Sequence, residues 1–470
     1  MADPILFLSI TEVNALFRRG ELTPGILVER HIARIAEVEP RLAAFQIVDA
    51  EGARAMAAAA DARWRAGAPL SPLDGVPMTI KDNVDVAGHP TRNGSLLSSE
   101  APAAEDAPVV ARLREAGAVF LGKTTTPEFG WKGITDSRLR GARTRNPWDT
   151  GRSPGGSSGG AAAALAAGVG TIAFGNDGGG SIRIPAAFSG VFGIKPNFGR
   201  VPHSPLEGFF ATVVSGGPLT RSVEDAAIAL AIMARPDDRD WYALPPPAEG
   251  WLDGLTPRMA GLRIAYAPHL GGAAPDAEVR AVVEAALGRM SAGGAAIEET
   301  GPLIMRLRPA FEAFWEASFG MRLNTYPREQ WDLIDPGYVA VAERGLDMPV
   351  EPVLAGEKER ARLHRELAAA FRQCDLLVTP TTPHVAPSIE AEYNTQGYDR
   401  WHDGVPYTLP FNLTGHPAAS IPCGLTAEGL PVGLQVVGPK YAERAVLEAC
   451  LAIERLLGFN ALREAKMAAF

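Results

Sequence analysis

The sequence predicts an α/β fold in which helices pack around a central β-sheet. Short apolar runs of strand length alternate along the chain with longer stretches of helical period. Of the 470 residues, 46% are apolar and 21% charged, which fits a folded chain with a sizeable core. Gly (50) and Pro (39) exceed average use and gather between those runs, as many tight connections require.

Residues 9–20 and 25–66 read as helices rich in Ala, Leu, Glu and Arg, ended by Pro69 and Pro72. The run Val76 to Ile80 reads as a strand leading into Lys81. A helix is expected over 106–116, stopped by Gly117, then a buried strand from Ala118 to Leu121. Residues 132–156 mix Gly, Pro, Arg and Asn without period and read as a long loop. Ala161 to Ala167 is a compact helix of small residues, Gly170 to Phe174 a strand, and Pro185 suits the first turn of a short helix. Leu262–Tyr266, Ala295–Ile297, Leu376–Thr379 and Val432–Val437 read as strands. Asp276–Met290, 357–373 and 441–457 read as helices, the first with Val279, Val282, Val283, Leu287 and Met290 at helical spacing. The segment 235–258, rich in Pro and Asp, is the best linker. It does not clearly separate two domains, and one domain spanning 1–470 is expected.

Several function classes are disfavoured early. The net charge is −9 and no basic run reaches five residues, so a nucleic-acid partner is not expected. Cys374, Cys423 and Cys450 are too few and scattered for a disulfide framework and lack zinc-site spacing. The N-terminus has an acid at Asp3 and no cationic region, a poor signal peptide. The uncharged stretch Gly159–Gly175 is too short and glycine-rich to span a membrane. A cytoplasmic monomer or homodimer is the expectation.

Two motif matches mislead. Gly117-Ala-Val-Phe-Leu-Gly122-Lys123-Thr124 fits the phosphate-loop pattern, but its middle is apolar like a strand and Pro127 interrupts any following helix. Gly155-Gly156-Ser157-Ser158-Gly159 fits G-x-S-x-G, but loop precedes it where a nucleophile elbow needs a strand. His384 and His416 lie downstream, so sequence order alone leaves a histidine triad open.

Three segments carry chemistry. In Gly75-Val-Pro-Met-Thr-Ile-Lys81-Asp82-Asn83, the lysine ends an apolar run. Desolvation there lowers its pKa toward a usable general base; the alternative is a snorkelling lysine paired with a carboxylate such as Asp82. In Gly155-Gly-Ser157-Ser158-Gly-Gly160, glycines let a serine approach another group closely, or simply make a flexible turn. In Asp177-Gly178-Gly179-Gly180-Ser181-Ile-Arg183, unsubstituted backbone can aim N–H groups at one point beside a hydroxyl nucleophile. Asp177 and Arg183 read as a buried pair holding that turn.

Together, in this order, with Lys195-Pro-Asn-Phe-Gly-Arg-Val-Pro202 following, these segments resemble the amidase signature family. The match is strong over 70–203 and weaker over 374–438, including Asn412-Leu-Thr-Gly-His-Pro417. The resemblance implies a large twisted mixed β-sheet wrapped by helices, no metal or organic cofactor, and a Ser–cis-Ser–Lys triad. The base falls on Lys81, the cis-serine on Ser157 and the nucleophile on Ser181. Oxyanion N–H groups are implied at Gly178, Gly179, Gly180 and Ser181. Three positions depart from the pattern. Asn176 replaces a common Thr or Ser, Gly178 replaces a side chain, and Asn197 replaces the usual Thr after Lys195-Pro196. Gly178 is expected to loosen the oxyanion turn or open room beside it.

The leading reading is a stand-alone hydrolase of a small amide, ester or carbamate such as a urethane. A second is the glutaminase subunit of a tRNA-dependent amidotransferase. That subunit should carry an acid just before the segment Tyr407-Thr408-Leu409-Pro410, where Val405 and Pro406 stand here and Asp403 is the nearest acid. A third is a catalytically inactive binding protein. Residues 204–370 are expected to shape the substrate pocket, with Phe209, Phe210, Phe311, Phe314, Trp315, Phe319 and Trp331 as candidate lining. Several of these lining the entrance would favour an apolar or aryl substrate.

Overall fold

A computed structural model describes residues 3–205, 208–270, 273–300, 308–391, 400–468 and 470. In chain order the strands are β1 (Phe45–Val48), β2 (Pro77–Lys81), β3 (Val119–Thr124), β4 (Asp136–Ser137), β5 (Ala142–Arg143), β6 (Ile172–Asp177) and β7 (Phe192–Lys195). They continue with β8 (Ser215–Thr220), β9 (Arg263–Tyr266), β10 (Ala296–Glu299), β11 (Leu376–Pro380), β12 (Ala418–Leu425) and β13 (Pro431–Val437). Eleven of them form one sheet in the order β1-β3-β2-β6-β8-β7-β12-β13-β11-β9-β10, and β4 with β5 makes a separate hairpin. The sheet is mixed: β3-β2-β6 and β11-β9-β10 run parallel, and the remaining pairs are antiparallel. Helices surround it, as the sequence predicts.

The parallel trio positions the chemistry. Every residue of β2, β3 and β6 is buried, because helices cover both faces, so these strands read as apolar runs without alternation. Parallel neighbours end together. With Ile80 opposite Phe174, Lys81 at the end of β2 arrives beside the last residues of β6.

The helix Gly159–Ala166 packs under this edge at close range. A Cβ on Gly160 would lie 2.5 Å from the Ala44 carbonyl oxygen, so the glycines serve close approach here, not flexibility.

The sequence reading fails where a strand lacks strand-like residues or hides inside a helical pattern. The chain breaks the expected helix 25–66 at Ala43, whose φ is 49°, and Glu39 accepts the N–H groups of Ala44 and Phe45. Phe45-Gln-Ile-Val48 then adds to the sheet against β3. The strand β8 reads Ser-Gly-Gly-Pro-Leu-Thr, a composition that disfavours strands except where backbones pack closely. The expected linker contains neither helix nor strand, yet β8 before it and β9 after it join the same sheet. No helix among the described residues is long and apolar enough to cross a membrane.

Candidate active site

The three segments that carry chemistry converge at the ends of β2 and β6. Lys81 is fully buried, and its Nζ lies 2.7 Å from Ser157 Oγ and 2.7 Å from Asn176 Oδ1. Asn83 Nδ2 donates to the same Asn176 oxygen at 3.2 Å. That shared acceptor fixes the carboxamide with its oxygen toward the lysine. The alternative partner for Lys81 is otherwise engaged: Asp82 pairs with Lys123 at 2.8 Å. Burial without an adjacent carboxylate lowers the Lys81 pKa to about 7, the more distant Asp177 opposing the shift. Lys123, in the misleading phosphate-loop match, is thus a strand residue whose ammonium serves Asp82 and the Pro90 carbonyl.

Ser157 precedes the helix Gly159–Ala166, and its peptide bond to Gly156 is cis. No strand leads into it, which removes the nucleophile-elbow reading. The histidines needed for that reading are elsewhere occupied. His384 contacts the Val385 carbonyl and the Phe188 ring, and His416 contacts the Thr414 hydroxyl.

Asp177 and Arg183 form the buried pair that the sequence suggests. The guanidinium meets Asp177 with two bonds of 2.9 Å, then donates to the Thr408 carbonyl, Gln435 Oε1 and Asn412 Oδ1. All five of its N–H donors are therefore used. Asn412 Nδ2 returns a bond to Asp177 at 2.8 Å, so part of the weaker C-terminal match serves this network. The guanidinium and these donors hold the Asp177 carboxyl well below the usual carboxylate range despite its burial.

One expectation for the turn 178–181 is corrected. The Gly180 N–H points inward and donates to Asp177 Oδ1 at 2.7 Å, and Gly180 does not line the cavity. The N–H groups of Gly178, Gly179 and Ser181 meet no acceptor among the described residues, and all three residues line the cavity. The Ser181 hydroxyl likewise makes no hydrogen bond among the described residues. The expectation for Gly178 resolves as room that is filled: a Cβ there would lie 2.6 Å from Phe210 Cζ.

The cavity has a volume of about 820 Å³ and holds Ser157, Asn176 and Ser181 in its floor. Of the candidate aromatic residues, Phe210, Trp315 and Phe319 line it. Phe311 and Phe314 are buried core behind them, and Trp331 donates to the Tyr326 carbonyl. The Phe209 side chain lies outside the described residues. Sequence reasoning missed Phe129, Tyr326 and Arg322, which complete this wall. Phe129 had a usable signal, since it closely follows the buried end of β3. Among the described residues, no group of three or more His, Cys, Asp or Glu could hold a metal ion.

A family model described as Amidase matches residues 26–447. The chain belongs to the amidase signature family. It is 36% identical to a glutamyl-tRNA(Gln) amidotransferase subunit of Roseiflexus castenholzii, covering 97% of each chain. It is 35% identical to an acylamidase of Rhodococcus erythropolis, covering 94% of each. Among solved structures, a bacterial aryl acylamidase of the family superposes with a TM-score of 0.89 at 27% identity, covering 99% of each. This amidase is a serine hydrolase acting on carbon–nitrogen bonds other than peptide bonds.

Proposed function

We propose that this amidase cleaves apolar or aryl amides, with carbamates and esters as related substrates, through an acyl-enzyme on Ser181. The observation that carries the reading is the Lys81 amine, buried without a carboxylate and 2.7 Å from Ser157 Oγ. A neutral amine has one lone pair and two N–H donors. Asn176 Oδ1 can only accept, so it takes a donor and leaves the lone pair for the Ser157 proton.

Lys81 takes the proton of Ser157 as Ser157 takes that of Ser181, and Ser181 Oγ attacks the carbonyl carbon. The oxyanion is received by the N–H groups of Gly178, Gly179 and Ser181, each worth about 10²–10³ in rate. The relay returns the proton to the leaving nitrogen, the C–N bond breaks, and water repeats the sequence on the acyl-enzyme. The aromatic wall supports an apolar or aryl group on the substrate.

A serine-directed fluorophosphonate should label residue 181, and Ser181→Ala should lose labelling and anilide hydrolysis while melting like the parent. The residual rate should fall by about 10³–10⁶. Labelling at any other residue would sink the assignment.

The amidotransferase relative supports a second reading, a glutaminase subunit. Against it, Val405 is buried and Asp403 pairs with Arg308. Neither Asp403 nor any residue of 405–410 lines the cavity. Hydrolysis of glutamine faster than of aryl anilides, with co-purifying partner subunits, would favour the second reading.

A further inference from the structure

The helix Arg308–Leu323 carries four charged side chains, and three of them are neutralised by ion pairs. Arg308 pairs with Glu312, which also receives Arg400, and Glu316 receives both Arg344 and Arg400. The fourth, Arg322, meets no carboxylate among the described residues and lines the cavity. Trp315, Ser318, Phe319 and Arg322 follow at i, i+3, i+4 and i+7, so one helix face presents them together. The face that supplies the rings therefore also supplies a free positive charge.

The Arg322 side chain is exposed, and its charge rests against a ring. The guanidinium carbon lies 5.2 Å from the Phe129 ring centroid, a cation–π arrangement. Phe129 itself has φ 52°, a left-handed conformation that is strained for a non-glycine residue and gathers at ligand clamps. From there its ring stacks on Tyr326, 6.0 Å away and 27° from parallel. A guanidinium lying on a ring still offers its edge to a planar anion in two bonds. Among the described residues that line the cavity the other charged one is Asp85, from the segment after β2, and no ion pair joins it to Arg322. No carboxylate among the described residues cancels Arg322 from within.

We infer that Phe129, Arg322 and Tyr326 form a subsite for an anionic group, a carboxylate or sulfonate, at the end of the apolar part of the substrate. This deepens the amide-hydrolase reading and rests on it.

The test uses matched pairs of substrates on each side of the scissile bond. Glutaryl p-nitroanilide is set against pentanoyl p-nitroanilide, and 4-acetamidobenzoate against acetanilide. In at least one pair kcat/KM should favour the anion by about tenfold or more at low ionic strength. The preference should shrink in 0.5 M NaCl, as screening requires. Arg322→Gln should bring the ratio near one, Arg322→Lys should keep part of it, and Arg322→Glu should invert it. A general loss from misfolding would lower both members and leave the ratio standing. A ratio near one in both pairs for the parent, or a ratio that survives Arg322→Gln, overturns the subsite. Calorimetric binding of the same pairs to Ser181→Ala separates the two readings. An anion preference there that Arg322→Gln removes supports the subsite even if turnover fails, and equal binding of both members overturns it.

Discussion

Beneath the cavity, Asp177 accepts from Gly180, Ile182, Arg183 and Asn412, and Lys81 is fixed between Ser157 and Asn176. The wall opposite, carried by residues 129–130, Phe210 and the helix Arg308–Leu323, consists of rings in contact, with Phe210 and Trp315 centroids 4.5 Å apart and Trp315 and Phe319 also 4.5 Å apart. The floor is held by directional bonds among buried charges, the wall by packing. The proposed proton relay needs a floor of fixed geometry with a defined charge on each group. A wall that selects substrates needs only shape and one or two polar contacts. Damage to the floor should therefore appear in kcat, pH dependence and stability, and damage to the wall in substrate preference.

The largest effect should come from Lys81→Ala. Loss of a general base removes about 10²–10⁴ from kcat/KM, and the remaining activity should lose its dependence on pH near neutrality. A Lys81→Ala enzyme that keeps the parental profile would place the base elsewhere. Next in size, Arg183→Met should strip the buried Asp177 carboxylate of its ion pair, at about 3–5 kcal/mol in urea unfolding. The corresponding change in the wall, Arg344→Met, leaves Glu316 with Arg400 and a partly exposed partner site. It should cost below about 1 kcal/mol. Equal costs for the two would end the distinction between floor and wall.

The pH profile sharpens the comparison further. In the proposed mechanism Lys81 acts as the neutral amine, so kcat/KM should rise with pH through a midpoint near 7, where burial has placed this lysine. Asn176→Asp would set a carboxylate against Nζ in place of the neutral oxygen now 2.7 Å away. A negative neighbour favours the ammonium, so the midpoint should move alkaline by about one unit, worth about 1.4 kcal/mol. Asn176→Ser should move it little, because a hydroxyl can still accept. Changes in the wall, such as Phe319→Leu, should leave the midpoint where it is.

The floor is legible in the sequence because its chemistry demands particular residues close together in the chain. A lysine ending an apolar strand, glycines flanking Ser157 and glycines preceding Ser181 each have few other uses in combination. Even there, sequence does not tell which N–H groups stay free. Gly180 is lost to Asp177 through a bond that depends on how the turn closes. The wall is illegible for a different reason. Rings at helical spacing are ordinary core, and Phe311 and Phe314 are indeed core, while Trp315 and Phe319 in the same helix face the cavity. Which side is which depends on residues much earlier in the chain, Phe129 among them. The role of Arg322 is fixed only by which neighbouring charges have already been paired.

Floor and wall meet where Gly178 faces Phe210, and the smallest predicted effect tests that contact. Gly178 has no left-handed backbone angle, so alanine fits its conformation, but the new Cβ would fall 2.6 Å from Phe210 Cζ and 2.8 Å from Cε1. The ring must therefore shift or tilt, and its own anchor, the N–H of Phe210 on Ser318 Oγ at 2.8 Å, resists that movement. Gly178→Ala should lower kcat/KM for an aryl anilide by disturbing both the proposed oxyanion donor and the wall. Phe210→Leu alone should weaken aryl preference with little change in kcat. In the double variant the shorter side chain makes room for the methyl group, so the two losses should not add. The coupling should be about 0.5–1 kcal/mol and favourable, at the low end for residues in contact. Strict additivity would mean that Gly178 acts through its N–H alone, and that the wall can be redesigned without touching the chemistry beneath it.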